Sequence, residues 1–280
     1  MNYLDSYNEA KEILISAGVK EAGLDARLLL EYVCKTDHSA LFVHPERELT
    51  EDEEESFKEM LLRRKNREPL AYILGFWEFM GLEFKVNRDV LIPEQDSEFL
   101  VEEALRYCED GFRILDLCTG SGCIALSILN YTNETVAVCT DISDKALEIA
   151  RENAKELGLS DRCEFIRTDL FPDNSCGRAD IIVSNPPYIA RSVIESLESE
   201  VKDYEPRIAL DGDEDGLLFY RRIAERAGEF LFSSGYLFLE IGYDQADAVT
   251  DILQREGCYH EIEVVKDFSG NTRVVKACYY

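Results

Sequence analysis

The stretch Arg113-Ile114-Leu115-Asp116-Leu117-Cys118-Thr119-Gly120-Ser121-Gly122-Cys123 decides the fold. A short apolar run ends in a turn with glycines two apart, and a second apolar run continues to Leu129. That order predicts a strand, a sharp turn and a helix, since glycine tolerates the positive φ that such a turn needs. Outward from there the alternation repeats. Thr135 to Cys139 predicts a strand and Lys145 to Leu157 a helix. Arg162 to Arg167 and Asp180 to Ser184 predict two more strands. Leu217 to Phe232 then predicts a helix, Tyr236 to Ile241 a strand and Gln245 to Arg255 a helix, and two strands near 261–266 and 272–279 close the chain. Strands alternating with helices predict an α/β, Rossmann-like architecture: seven strands, mostly parallel, with an antiparallel edge strand.

Upstream the pattern changes. Residues 1–72 predict a small helical domain, with helices over Leu4 to Ala17 (stopped by Gly18), over Ala22 to Cys34, and from Thr50 onward. Thr50-Glu51-Asp52-Glu53 fits a capping box, in which Thr50 and Glu53 satisfy each other's backbone N–H. The acidic first turn and the basic Arg63-Arg64-Lys65 suit the helix dipole. Residues 73–92, with Gly75, Gly81 and aromatic or β-branched side chains, predict a hairpin or linker, and 93–280 form the α/β domain.

The chain has 280 residues, 30 basic and 57 acidic side chains, and a formal charge of −27. Affinity for nucleic acid rests mainly on Lys and Arg contacts to phosphate, so this balance opposes it. No apolar run approaches the ~20 residues that cross a bilayer, and the amino terminus does not resemble a signal peptide. The nine cysteines, never spaced C-x-x-C, read as reduced thiols of a cytoplasmic protein, expected to act as a monomer. The three histidines are not paired at metal-ligand spacing, and no metal is expected. Asp211-x-Asp213-x-Asp215-Gly216 imitates the start of a calcium loop, but Arg222 stands where a bidentate Glu is required.

Four segments carry chemistry. Cys118-Thr119-Gly120-Ser121-Gly122 follows a strand and opens a helix, so its backbone can approach a ligand at a helix N-terminus. The spacing is not the dinucleotide G-x-G-x-x-G, which argues against an oxidoreductase. Asp141, followed by Ile142, closes the next strand, where a carboxylate can accept ribose hydroxyls; Asp144 is free to cap the helix that follows. Asp169-Leu170-Phe171 offers an acceptor for an exocyclic amine beside apolar walls for an adenine ring. Asn185-Pro186-Pro187-Tyr188 is the sharpest of the four. Two prolines fix φ twice and remove two donors, which makes the turn stiff. A planar amide nitrogen is a poor nucleophile and must be held in line. The Asn185 side-chain carbonyl and the Pro186 backbone carbonyl can accept its two N–H bonds, with Tyr188 as a stacking face.

These residues give the chain its likeness. Asn-Pro-Pro-Tyr after the fourth strand resembles the mark of amino- and amide-nitrogen methyltransferases. The whole chain is similar to the HemK/PrmC family of release-factor glutamine methyltransferases. Arg67-Glu68-Pro69-Leu70-Ala71-Tyr72-Ile73-Leu74-Gly75, Val90-Leu91-Ile92-Pro93, Glu205-Pro206-Arg207-Ile208-Ala209-Leu210, Asp215-Gly216-Leu217 and Leu239-Glu240-Ile241-Gly242 extend the match. The resemblance implies a class I methyltransferase fold and S-adenosyl-L-methionine as cofactor. It also implies a target, the glutamine of the Gly-Gly-Gln loop in class I peptide chain release factors, gripped in part by the helical domain. The chain departs from the family pattern in two places. Cys118 replaces a usual glycine, so a near-normal φ is expected there, and Glu94-Gln95 replaces an Arg-Pro pair. The rival readings are an adenine-N6 methyltransferase, which needs a basic groove and base flipping, and a non-catalytic release-factor-binding protein.

Overall fold

The computed structural model describes residues 1–280, apart from the side chains of residues 40 and 42. The chain divides into two compact units. The first is Met1–Gly75 together with Glu198–Tyr204. Its long helices, Tyr3–Ser16, Ala22–Cys34 and Glu51–Lys65, fall where the apolar periodicity places them. Gly18, at φ 76, follows the first helix just past its C-cap. The capping box is complete: Glu53 N donates to Thr50 Oγ1 at 3.3 Å and Thr50 N to Glu53 Oε2 at 2.8 Å. The basic last turn does more than meet a dipole. Arg64 is buried and donates to Asp25 at 2.6 Å and to Glu200 at 3.1 Å, while Arg63 pairs with Glu68 at 2.9 Å.

The second unit is Phe76–Leu197 and Glu205–Tyr280. It opens on the antiparallel hairpin β1 (Phe76–Phe79) and β2 (Leu82–Lys85). Met80 (φ 53) and Gly81 (φ 70) form its two-residue turn, both in the left-handed region that such tight hairpins require. Seven strands follow: β3 (Arg113–Leu117), β4 (Val136–Asp141), β5 (Cys163–Arg167), β6 (Ala179–Ser184), β7 (Leu231–Glu240), β8 (Tyr259–Lys266) and β9 (Thr272–Tyr279). They form one sheet in the order β5-β4-β3-β6-β7-β9-β8, parallel from β5 to β7. The reversed strand is β9, placed between β7 and β8, so the two closing strands form the antiparallel pair expected at one edge.

Alternate side chains of the buried strands feed two cores. Leu115, Leu117 and Ile182 pack on one face with the helices Leu218–Phe230 and Ala246–Glu256. Ile114, Ile181 and Val183 pack on the other with Gln95–Tyr107 and Cys123–Asn130. β7 begins earlier than predicted. Ser233-Ser234-Gly235 reads as a turn, yet the strand runs through it with a register shift against β6 and Ser234 at φ 67. A Cβ on Gly235 would stand 2.9 Å from the Asp180 carbonyl, so the missing side chain lets the strand through.

Candidate active site

A cavity of about 340 Å³ lies in the second unit at the C-terminal ends of β3, β4 and β6. The chain steps outward from β3 to β5 and then returns to the other side of β3 for β6, so the strand order reverses here. An open sheet leaves a crevice at such a point because the flanking helices cross opposite faces.

The glycine turn forms one wall. Thr119 N donates to Thr140 O at 2.9 Å, Gly122 N to Thr119 O at 2.8 Å, and the Thr119 hydroxyl to Asp116 Oδ2 at 2.6 Å. A Cβ on Gly120, at φ 56, would meet no atom within 4 Å, so bare backbone faces open space. Gly122, at φ 82, serves packing: a Cβ there would stand 3.0 Å from Leu126 and 3.2 Å from Ala150. It does not line the cavity. Asp141 sits beside the turn, its Oδ2 accepting from Gly120 N at 3.0 Å and its Oδ1 from Ser143 N at 2.9 Å. Burial raises its pKa against those bonds. The following helix is capped by Ser143, whose hydroxyl accepts from Ala146 N at 3.2 Å, and not by Asp144.

Two backbone positions are strained. Cys118 takes φ 59, in place of the near-normal value expected, and Leu170 takes φ 69. Both line the cavity. The left-handed region costs a non-glycine residue about 1–2 kcal/mol, and such strain collects at functional sites. Cys118→Gly is therefore expected to be more stable than Cys118→Ala by about 1 kcal/mol. Chain entropy alone favours the opposite order, so a urea titration in which Cys118→Ala is the more stable would contradict the strain.

Cys118, Thr119, Gly120, Ser121, Asp141, Ile142, Asp169, Leu170, Asn185 and Pro187 line the cavity together. Phe171 does not: its ring is buried and stacked on Phe230 at 4.9 Å, because the turn at Leu170 sends the next side chain into the core. Pro186 and Tyr188 are also outside the lining, and Tyr188 packs half-buried against the core. The Asn185 amide donates from Nδ2 to Ser97 Oγ at 3.2 Å. Behind the turn, Gln245 Nε2 donates to the Tyr188 carbonyl at 2.9 Å, while Gln245 Oε1 accepts from Gly242 N at 3.0 Å. The false calcium motif has its explanation here. A Cβ on Gly216 would stand 2.4 Å from the Tyr188 carbonyl, and one on Gly212 would stand 2.9 Å from the Pro187 carbonyl. Both glycines let a second loop press against the proline turn.

Sequence reasoning gave no role to several wall residues. Val90, Leu91, Ile92 and Pro93, with Pro206, Ile208 and Ala209, close the cavity from segments noticed only for their likeness. Arg222, which spoiled the calcium pattern, lines the cavity and donates to Asp169 at 2.9 Å. Among the described residues, no group of three or more His, Cys, Asp or Glu side chains could hold a metal, and no helix is long and apolar enough to cross a membrane.

Burial pushes Asp116 up to about 7 and Glu240 up to about 8. Both carboxyls bind their protons more tightly folded than unfolded, so the unfolded chain releases them first as pH rises. Stability is therefore lost from about pH 4 up to the folded values. The melting temperature is expected to fall by about 5 °C or more between pH 5.5 and 8.5. High salt screens surface repulsion but not these buried groups, so a drop that vanished in 1 M salt (the ~3 Å screening regime) would contradict this account.

Comparison with known proteins narrows the assignment. A family profile described as the PrmC N-terminal domain matches residues 5–75, and one described as the methyltransferase small domain matches residues 94–199. A release factor glutamine methyltransferase of Fusobacterium nucleatum is 41% identical over 278 residues, 98% of this chain and 78% of that protein. Its counterpart in Clostridium acetobutylicum is 43% identical over 257 residues, 90% of each. The crystal structure of a methyltransferase from Pyrococcus furiosus, 16% identical, shares the fold with a TM-score of 0.51 over 71% of this chain and 89% of that one. The order of the strands and the matched methyltransferase domain and relatives place the chain among class I methyltransferases, which take their methyl group from S-adenosylmethionine. More narrowly, the chain belongs to the release factor glutamine methyltransferase family.

Proposed function

We propose that the chain transfers a methyl group from S-adenosylmethionine to the side-chain amide nitrogen, N5, of the glutamine in the Gly-Gly-Gln loop of class I peptide chain release factors. One observation carries the reading: Asn185 and Pro187 line the same cavity as Thr119–Ser121 and Asp141. The wall residues fit the cofactor. The bare backbone at Gly120 leaves room for close approach. Asp141 keeps a lone pair on each oxygen for the ribose hydroxyls. Asp169, steadied by Arg222, would accept from the adenine amine, and Ile142 and Leu170 of the same cavity would supply apolar walls. Bound there, S-adenosylmethionine supplies an electrophilic methyl on a sulfonium.

The chain's own residues aim the nucleophile. The amide lone pair is delocalised, so the nitrogen attacks only when held in line at near-attack distance. Asn185 Oδ1 and the Pro186 carbonyl accept its two N–H bonds and favour the pyramidal form as positive charge develops. Pro186 lies in the chain between Asn185 and Pro187, which both line the cavity. Tyr188 anchors the turn through the core and through Gln245, in place of the stacking role read from sequence. No strong base is needed, because the methylated nitrogen gives up its proton readily to water. Incubation with radiolabelled cofactor and either a recombinant release factor or duplex DNA tests the reading. Label is expected on the protein; label on DNA alone would overturn the substrate.

A further inference from the structure

We infer that Ser97 is a positioning residue, which fixes the Asn185 amide with its carbonyl oxygen toward the substrate. The inference rests on the proposed methyl transfer and deepens it. An asparagine amide can sit either way round, and the two ends are nearly the same shape. Only one end accepts an N–H, so a flipped Asn185 would present two donors to a substrate that also offers donors. Something must hold the orientation.

Ser97 is placed to do so. It lies at the start of the helix Gln95–Tyr107, buried to 3% exposure, and Asn185 Nδ2 donates to its Oγ at 3.2 Å. A hydroxyl has one proton and two lone pairs. We place its proton toward Glu240, a buried carboxyl at the end of β7 whose Oε2 has no other hydrogen-bond partner and whose rise in pKa the Ser97 hydroxyl opposes. With its proton turned that way, Ser97 offers Asn185 a lone pair. The donor end of the amide meets it, and Oδ1 is left for the cavity that Asn185 lines. The flipped amide would set oxygen against oxygen and forfeit a hydrogen bond.

Two readings in the intact chain test this. The first needs no substrate. In a ¹H–¹⁵N spectrum, the Asn185 side-chain NH₂ pair, identified by its absence in Asn185→Asp, is expected to show one proton protected from exchange. Protection should disappear in Ser97→Ala and persist in Ser97→Thr, which keeps the hydroxyl. Unchanged protection in Ser97→Ala would overturn the inference whatever the enzyme methylates. The second is kinetic. Ser97→Ala is expected to lower kcat about tenfold, the value of one hydrogen bond that holds the productive orientation. Cofactor affinity should stay within about twofold, and Ser97→Thr should recover most of the loss. Wild-type kcat in Ser97→Ala, or equal losses in both variants with a lowered melting temperature, would assign Ser97 to packing. Failure of the wild type itself to label a release factor would count against the proposed substrate and leave the spectral test of Ser97 standing.

Discussion

Asn185→Ala is expected to lower kcat by about 10²- to 10³-fold, with cofactor affinity held within about twofold. Removing one preorganised group aimed at the transition state typically costs that much. In the proposed reaction the loss concerns the atom that accepts from the attacking nitrogen. The truncation leaves the Gly120–Asp141 wall intact, since that wall is held by its own bonds, Gly120 N to Asp141 and Thr119 N to Thr140. The turn should also survive, because its second half is fastened by Gln245 and by the close approach of Gly212 and Gly216. Single-turnover rates at saturating cofactor, beside a calorimetric titration, separate the two effects. Equal loss of binding and turnover would show that Asn185 holds the cofactor instead.

Asp141→Ala is expected to weaken the cofactor at least tenfold. Hydrogen bonds to a charged group contribute about 1.5–3 kcal/mol each, and every 1.4 kcal/mol is about tenfold in affinity. In the proposed site two ribose hydroxyls are at stake. The same substitution removes the acceptor for Gly120 N and for Ser143 N, so the glycine turn loosens as well. Asp141→Asn keeps one acceptor oxygen and should fall between the two. Unchanged binding of cofactor to Asp141→Ala would remove this residue from the ribose site.

The sheet was legible because its signals are local. Apolar runs such as Ile114 to Leu117 and Ile181 to Val183 have few alternatives once glycine and proline bound them. The glycine turn, the strand-end Asp141 and the proline turn were legible for the same reason, since each is contiguous and ends a predicted strand. What escaped is long-range. Ser97 and Asn185 are 88 positions apart, and nothing beside Ser97 announces its partner. Arg222 meets Asp169 across 53 positions. Phe171 was misread because composition cannot tell which way a side chain turns; Leu170 in the left-handed region decides it. Cys118 misled in the same manner, since the turn imposes its φ regardless of residue type. The two glycines at 212 and 216 carried a real signal that the calcium pattern obscured. Their common reason is a backbone too close for a Cβ.

The central claim is that a stiff turn steers a glutamine amide nitrogen, held by Asn185, toward the methyl donor. Tandem mass spectrometry of a release factor after reaction with the chain and S-adenosylmethionine tests it most directly. The claim predicts the gain of one methylene on the side-chain nitrogen of the Gly-Gly-Gln glutamine, absent when Asn185→Ala replaces the wild type. A methyl group on any other side chain, or an undiminished yield with Asn185→Ala, would contradict it.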